Sequence, residues 1–451
     1  VLALLFVLYL ISKQEEPTYK VLWLLVILTF PLPGALLYLL FGGKRSARSL
    51  RARLDKVDQQ QLASAGSLPM EADPRLRQTF GYLQQLTGGE VHPNTGAKFY
   101  PLGDAMFPDL LKALEQAQHY IFLEYFIVDY GVFWDSVVEI LQRKASQGVD
   151  VRVMYDDLGS ISTYTAKDAW QLQQSGIRCV AFNPLVFVKG TLNYRDHRKM
   201  TIIDGRVAFT GGVNIADEYI NRVEKYGHWK DFGLRLEGAA VHSYTRMFAQ
   251  FWNAFSKDPI PQALLQTPDL PVDAAPDGYV LSYGDSPLAD TAASNELYIE
   301  LLSQAQEYAY FFTPYLMLGD SLLEAFVRAA RRGVDVRIIM PGVPDKKLVF
   351  RMSHSFYPIL LKAGVKIYEY TPGFVHAKGC VVDDRAGTVG TVNLDYRSLF
   401  LHFENNNLFW NASLLGEIKA DFLATQRQCR TMQLGENVPT GFFHWLVDGV
   451  L

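Results

Sequence analysis

One short pattern occurs twice in this chain: His-x-Lys, four further residues, then Asp. It runs through His197, Lys199 and Asp204, and again through His376, Lys378 and Asp383. The next landmarks keep the same register, Gly211-Gly212-x-Asn214 after the first copy and Gly390-Thr391-x-Asn393 after the second. With ordinary residue usage, one such triple arises at roughly one start position in ten thousand. Two copies with matching followers therefore mark an internal duplication, and a duplicated fold must present the motif twice. The residue types suit phosphodiester chemistry, because an imidazole can attack phosphorus or carry protons and an ammonium can hold a phosphate oxygen.

Local structure follows from the spacing. Met200 to Ile203 and Val207 to Thr210 are short apolar or β-branched runs joined by Asp204-Gly205, which predicts a hairpin. His197 and Lys199, two residues apart, project from one face of the strand. Asp204 lies at the far end, roughly 20 Å away if the chain is extended. Although part of the candidate catalytic triple, it is thus expected to pin the turn rather than touch phosphorus. Gly212 and Asn214 fall where the return strand comes back beside His197, and glycine there permits close backbone approach. Lys378 to Val382, Asp383-Asp384 and a return strand ending near Gly390 repeat the arrangement. The other histidines, at positions 92, 119, 228, 242, 354, 402 and 444, are read as structural, and no ligand spacing of the zinc type occurs.

The duplication reaches beyond the motifs. Gly148-Val149-Asp150-Val151-Arg152 reappears as Gly333-Val334-Asp335-Val336-Arg337, and Ser175-Gly176-Ile177-Arg178 as Ala363-Gly364-Val365-Lys366. Amphipathic helices over 133–146 and 321–332 precede the repeated Gly-Val-Asp. Each half reads as strand, helix, strand, helix, strand and motif hairpin, an α/β layered fold with a mixed sheet. Two halves related by a pseudo-twofold would bring both His/Lys pairs to one site.

The paired motifs and their followers resemble the phospholipase D superfamily. Asn193-Tyr194-Arg195-Asp196-His197-Arg198-Lys199 and Asn393-Leu394-Asp395-Tyr396-Arg397-Ser398 resemble the bacterial cardiolipin synthases. The resemblance covers essentially the whole chain, with one departure, Thr391 at the second glycine position. It implies two phospholipase D-like α/β domains, no metal or other cofactor, and a phosphatidyl-histidine intermediate. The implied reaction joins two phosphatidylglycerol molecules into cardiolipin and glycerol. By the same resemblance His197 is the nucleophile and His376 the acid/base, a choice that sequence symmetry alone does not make. Lys199 and Lys378, with Asn214 and Asn393, would hold the phosphoryl oxygens.

Each imidazole also needs a carboxylate to fix its tautomer. Asp231 lies 34 residues after His197, and Glu404 lies 28 after His376. The resemblance implies a crossed arrangement, Glu404 serving His197 and Asp231 serving His376. A hydrolytic phospholipase D or another phosphatidyltransferase would use the same core. A superfamily nuclease fits less well, given two apolar N-terminal segments and a net charge of −4. An inactive membrane scaffold is disfavoured by two intact motifs.

The domain reading is a membrane hairpin over 1–42, transmembrane or re-entrant, with its first span truncated. A basic connector over 43–95 follows, then a phospholipase D-like domain over 96–258, a proline-rich linker over 259–276 and a second such domain over 277–451. Val21 to Phe41 is 21 residues without a charge, broken or kinked by Pro31, Pro33 and Gly34. Lys44, Arg45, Arg48, Arg51, Arg53 and Lys56 follow, so the positive-inside rule predicts a multi-pass protein of the bacterial inner membrane with its body in the cytoplasm. The expected partners are phosphatidylglycerol and cardiolipin in the membrane, and not nucleic acid; the sequence says nothing of oligomeric state. Three widely spaced cysteines, Cys179, Cys380 and Cys429, make no disulfide framework. Lys346 to Leu361, aromatic and basic, is a candidate border to a lipid entrance.

Overall fold

A computed structural model describes residues 2–12, 17–39, 45–61, 74–94, 96–184, 193–265 and 277–435. The first half is a seven-stranded sheet in the order Lys98–Tyr100, Gly233–Glu237, Val207–Gly211, Lys199–Ile203, Tyr120–Tyr125, Asp150–Asp156, Arg178–Phe182. The second repeats that order with Tyr279–Asp285, His402–Trp410, Ala386–Gly390, Gly379–Val382, Tyr308–Phe312, Asp335–Pro341 and Lys366–Tyr370. It gains an edge strand at each side, Glu90–Pro93 and Cys429–Thr431. Glu90–Pro93 belongs to the stretch read as a connector, yet it pairs antiparallel with Tyr279–Asp285. The linker residues 266–276 and the C-terminal 436–451, with His444, lie outside the described residues.

The repeated Gly-Val-Asp has one physical purpose in both halves. The helices Val132–Ser146 and Asp320–Arg331 turn buried apolar faces to the sheets (Phe133, Val137 and Leu141; Leu322, Phe326 and Ala329). Each is stopped just before a glycine with positive φ, Gly148 at 90° and Gly333 at 95°, the left-handed geometry glycine adopts without strain. The valine enters the core, and the aspartate clamps two cations of neighbouring strands. Asp150 holds Arg152 and Arg178 at 2.9 Å, and Asp335 holds Arg337 at 2.5 Å and Lys366 at 2.8 Å. The second repeated stretch, which carries Arg178 and Lys366, is thus the other end of this clamp.

The two sheets share one apolar core. Phe122, Met200, Phe248 and Trp252 from the first half pack in one cluster with Phe312, Val381, Phe409 and Phe422 from the second. Each half also has a cluster of its own on the outer side of its sheet. The shared layer fixes the halves to each other and so fixes the site between them.

The N-terminal run breaks at the prolines, where the sequence places a break. The apolar run forms separate helices, Leu2–Ile11, Pro17–Thr29 and Pro31–Leu37, and among the described residues no helix is long and apolar enough to cross a membrane. The break is local: Phe30 leaves helical geometry before Pro31, whose ring cannot continue a helix. A side chain at Gly34 would come within 2.6 Å of the Val26 carbonyl, so the second piece folds closely against the first. Leu10, Ile27 and Tyr38 are buried together, while Leu22, Leu28, Phe30, Leu32 and Leu36 are exposed. The helix Arg45–Gln61 then packs Leu50 and Leu54 into the shared core.

Candidate active site

Two short parallel pairings between the halves build the site. Arg195–Asp196, which leads into His197, pairs with His402 and Phe403, which lead into Glu404. Gly373–Val375, which leads into His376, pairs with His228–Lys230, which lead into Asp231. Continued by one residue, each register sets a histidine beside the carboxylate of the opposite half. The His197 N–H donates to the Phe403 carbonyl at 2.9 Å, and the His376 N–H to the Lys230 carbonyl at 2.7 Å.

The side chains meet accordingly. His197 Nδ1 lies 2.9 Å from both Glu404 carboxylate oxygens, and His376 Nδ1 lies 2.6 Å from Asp231 Oδ2. An acid beside Nδ1 fixes the proton there and leaves Nε2 with a lone pair. Glu404 and Asp231 are both 0% exposed, so neither is a surface acid. Glu404 is held by the Ser398 and Thr391 hydroxyls, each at 2.5 Å. Thr391, the departure from the first copy, is therefore a donor to the carboxylate. Gly212 at the matching position has no room for a side chain, because a Cβ there would sit 1.9 Å from Asp231 Oδ1.

Lys199 and Lys378 are buried beside their histidines. Lys199 Nζ donates to the His197 carbonyl at 2.6 Å, and Lys378 Nζ donates to the His376 carbonyl and sits 2.7 Å from His376 Nδ1. Because the His376 Nδ1–H donates to Asp231, the Lys378 ammonium acts on that ring as a repelling charge. Burial pulls Lys199 down to about 7 and Lys378 down to about 8. Burial, then Lys378, pulls His376 down to about 4; burial, then Lys199, holds His197 well below its ordinary value. Burial raises Glu404 well above the usual carboxylate range. A pocket that costs its ammoniums this much is one in which an anion restores them.

The other candidates divide. Asp204 accepts the backbone N–H groups of Gln118, His119 and Tyr120 at 2.7–2.8 Å. Asp383 does the same for Gln306, Glu307 and Tyr308 at 2.7–2.9 Å. Both pin their hairpins, with positive φ at Asp204 and Gly205 and at Asp383 and Asp384. Asn214 spends its carboxamide on the Ile127 N–H at 3.1 Å and the Tyr219 hydroxyl at 2.7 Å. Asn393 Oδ1 is buried without a hydrogen-bond partner among the described residues.

His402, read from sequence as structural, lies beside the site: its ring centroid is 5.5 Å from that of His197, and its Nδ1 is 3.8 Å from Glu404 Oε1. Its position two residues before an acid was the only available signal. Phe126 stands 4.9 Å from the His197 ring, and Tyr219 and Trp229 stand 5.3 and 5.5 Å from His376. These aromatic walls desolvate the imidazoles and had no sequence signal. His197, His402 and Glu404 form the one group of metal-ligating side chains close enough to share an ion among the described residues. The Lys199 and Arg397 cations, both of which act on His402, disfavour a dication there.

Buried imidazoles with carboxylate-fixed tautomers and flanking ammoniums can attack a phosphodiester, protonate its leaving group and neutralise its oxygens. The comparisons agree. A family model described as cardiolipin synthase, PLD-like domain, matches residues 110–252 and 298–425, and a phospholipase D-nuclease N-terminal model matches 1–43. An uncharacterized protein of Streptococcus mutans is 43% identical over 94% of this chain and 93% of its own length. A cardiolipin synthase of Alkalihalophilus pseudofirmus is 32% identical over 97% of this chain and 88% of its own. The fold matches a phosphatidylserine synthase of Haemophilus influenzae with a TM-score of 0.59 at 15% identity, over 80% of this chain and 92% of that one.

Proposed function

The chain belongs to the cardiolipin synthases built from paired phospholipase D-like domains, and on that premise we propose that it joins two phosphatidylglycerol molecules through a phosphohistidine. It is a phosphatidyltransferase and is membrane-associated. The observation that carries the mechanism is the crossed pairing of His197 with Glu404 and of His376 with Asp231.

His197 Nε2 attacks the donor phosphorus, and the P–O bond to glycerol breaks as His376 delivers a proton to the departing oxygen. His376 then takes the proton from a hydroxyl of the second phosphatidylglycerol. That oxygen attacks phosphorus and expels His197, giving cardiolipin. One phosphodiester bond is exchanged for another, so no nucleotide is consumed. With both lysines charged and both acids ionised, these side chains sum to zero. A bound phosphodiester's single negative charge therefore favours protonation of one imidazole, against the burial and the Lys378 charge that otherwise hold His376 down at about 4. Lys199 and Lys378 carry the oxyanion charge as it grows. The exposed apolar N-terminal helices sit in the bacterial inner membrane, with the catalytic body on the cytoplasmic side, where the basic stretch after residue 43 would remain.

Purified protein with headgroup-labelled phosphatidylglycerol tests this, read by lipid mass spectrometry. Cardiolipin with free glycerol supports the synthase; phosphatidic acid as the sole lipid product would make it a hydrolase.

A further inference from the structure

The two His/Lys pairs lie where the parallel strands of the two sheets end. Lys199 lies opposite Tyr125 at the end of one such strand, and Gly379, beside Lys378, lies opposite Phe312 at the end of its counterpart. The chain leaving these strand ends exposes large apolar side chains: Tyr130 at 52%, Val132 at 50%, Ile161 at 54%, Val343 at 37% and Leu348 at 62%. On the second half this rim becomes two short helices, Lys347–Ser355 and Tyr357–Ala363. From Lys346 to Lys366 the sequence holds five lysines and arginines and no aspartate or glutamate. Lys346, Lys347, Arg351 and Lys362 are exposed, as are Leu348 and Ile359 at 62% and 47%.

The inner side of the same pair is anchored by polar groups. The Leu316 N–H donates to Ser353 Oγ at 3.0 Å, while His354 and Tyr357 meet Glu369 at 2.7 and 3.2 Å. The Tyr315 hydroxyl meets Asp345 at 2.5 Å, which ties the loop before the helices to the loop beside the site. A surface with fixed inner contacts and an outer face of cations between exposed aliphatic tips matches an anionic bilayer: headgroup phosphates for the cations, upper acyl chains for the tips.

We propose that the helices over 347–363 form a second membrane contact that lowers the mouth of the active site onto anionic lipid. The N-terminal helices tether the protein; this contact orients the body so that a lipid phosphate can leave the surface and reach the cleft. The proposal rests on the lipid-substrate reading above, and the test separates the two.

Leu348→Cys and Leu434→Cys are each made in the full chain with Cys429→Ser, Cys179 and Cys380 being buried. Leu434 is 57% exposed and follows the edge strand Cys429–Thr431, whose run opposite Lys366–Tyr370 carries it away from the site. Both carry an environment-sensitive thiol dye and are reconstituted into vesicles of phosphatidylcholine with or without phosphatidylglycerol. The expected result is a severalfold drop in iodide quenching at position 348 on anionic vesicles, reversed by high salt, with no change at 434. Equal quenching at both positions overturns the proposal. Lys347→Glu with Arg351→Glu should then lower turnover on phosphatidylglycerol bilayers roughly tenfold and leave turnover in mixed micelles within about twofold. Equal losses in both assays also overturn it, since the helix would then serve the site. Failure of the unaltered protein to make cardiolipin in either assay would instead defeat the functional reading, with the quenching comparison still decisive for docking.

Discussion

The two histidine sites share a backbone plan and differ in how the carboxylate is held. Glu404 reaches His197 with both oxygens at 2.9 Å and leans on two hydroxyls, Thr391 and Ser398. Asp231 reaches His376 with one oxygen at 2.6 Å, and its other oxygen takes the adjacent Phe232 N–H at 2.8 Å. The shorter acid rests on its own backbone and needs an empty position, which Gly212 leaves; the longer acid needs side-chain donors, and Thr391 supplies one. Glycine and threonine at equivalent positions are thus two solutions to one demand, a buried carboxylate that must not rotate.

Removing the histidines breaks this comparison with the largest effect. His197→Ala should abolish the covalent intermediate, whereas His376→Ala should still attack a donor whose leaving group needs no proton. Acid-labile phosphohistidine mapped by mass spectrometry to residue 376 would reverse the assignment. Next come the acids: Glu404→Ala and Asp231→Ala should each cost roughly 10²–10⁴ in turnover, by analogy with an orienting acid in a catalytic triad. Gly212→Ala should match Asp231→Ala, because the added methyl would lie 1.9 Å from Asp231 Oδ1; wild-type rates for that variant would mean the contact does not matter.

Thr391→Val sharpens the asymmetry at lower cost. It leaves one Glu404 oxygen short of a donor, about 1–3 kcal/mol, or roughly 5- to 150-fold if all of it falls on activity. Threonine cannot be exchanged into position 212, so Gly212→Thr should be the worse variant of the pair. The smallest effect is a pH shift. Lys199 and Lys378, held down at about 7 and 8, lose their protons as pH rises through that range, so kcat/KM should fall there. Bound phosphodiester stabilises the ammoniums and should move the corresponding limb of kcat to higher pH; coincident limbs would show that the lysines do not touch the anion.

Most of the fold was legible because the duplication forced it. The paired Gly-Val-Asp stretches, the hairpins and the His/Lys pairs are local patterns read through spacing. The hairpin aspartates were legible as turn pins for the same reason. What escaped depends on contacts far apart in sequence. His402 becomes a neighbour of His197 only because Arg195–Asp196 pairs with His402–Phe403, and no local rule states that pairing. Phe126, Tyr219 and Trp229 looked like ordinary core aromatics. The break in the N-terminal apolar run was legible too, because Pro31, Pro33 and Gly34 fall where the helix Pro17–Thr29 gives way to Pro31–Leu37.

The crossed pairings also set a clock. His197 and Glu404 are 207 residues apart and His376 and Asp231 are 145 apart, so neither imidazole has its carboxylate until the second half is made. As the chain leaves the ribosome, His376 emerges and Glu404 follows 28 residues later. At about 5–20 residues per second both partnerships become possible within a few seconds of each other. On the proposed assignment, a nascent first half carries the attacking imidazole, His197, without its orienting acid, Glu404. Because each partnership is split between the halves, a first half alone is expected to be inactive on phosphodiesters.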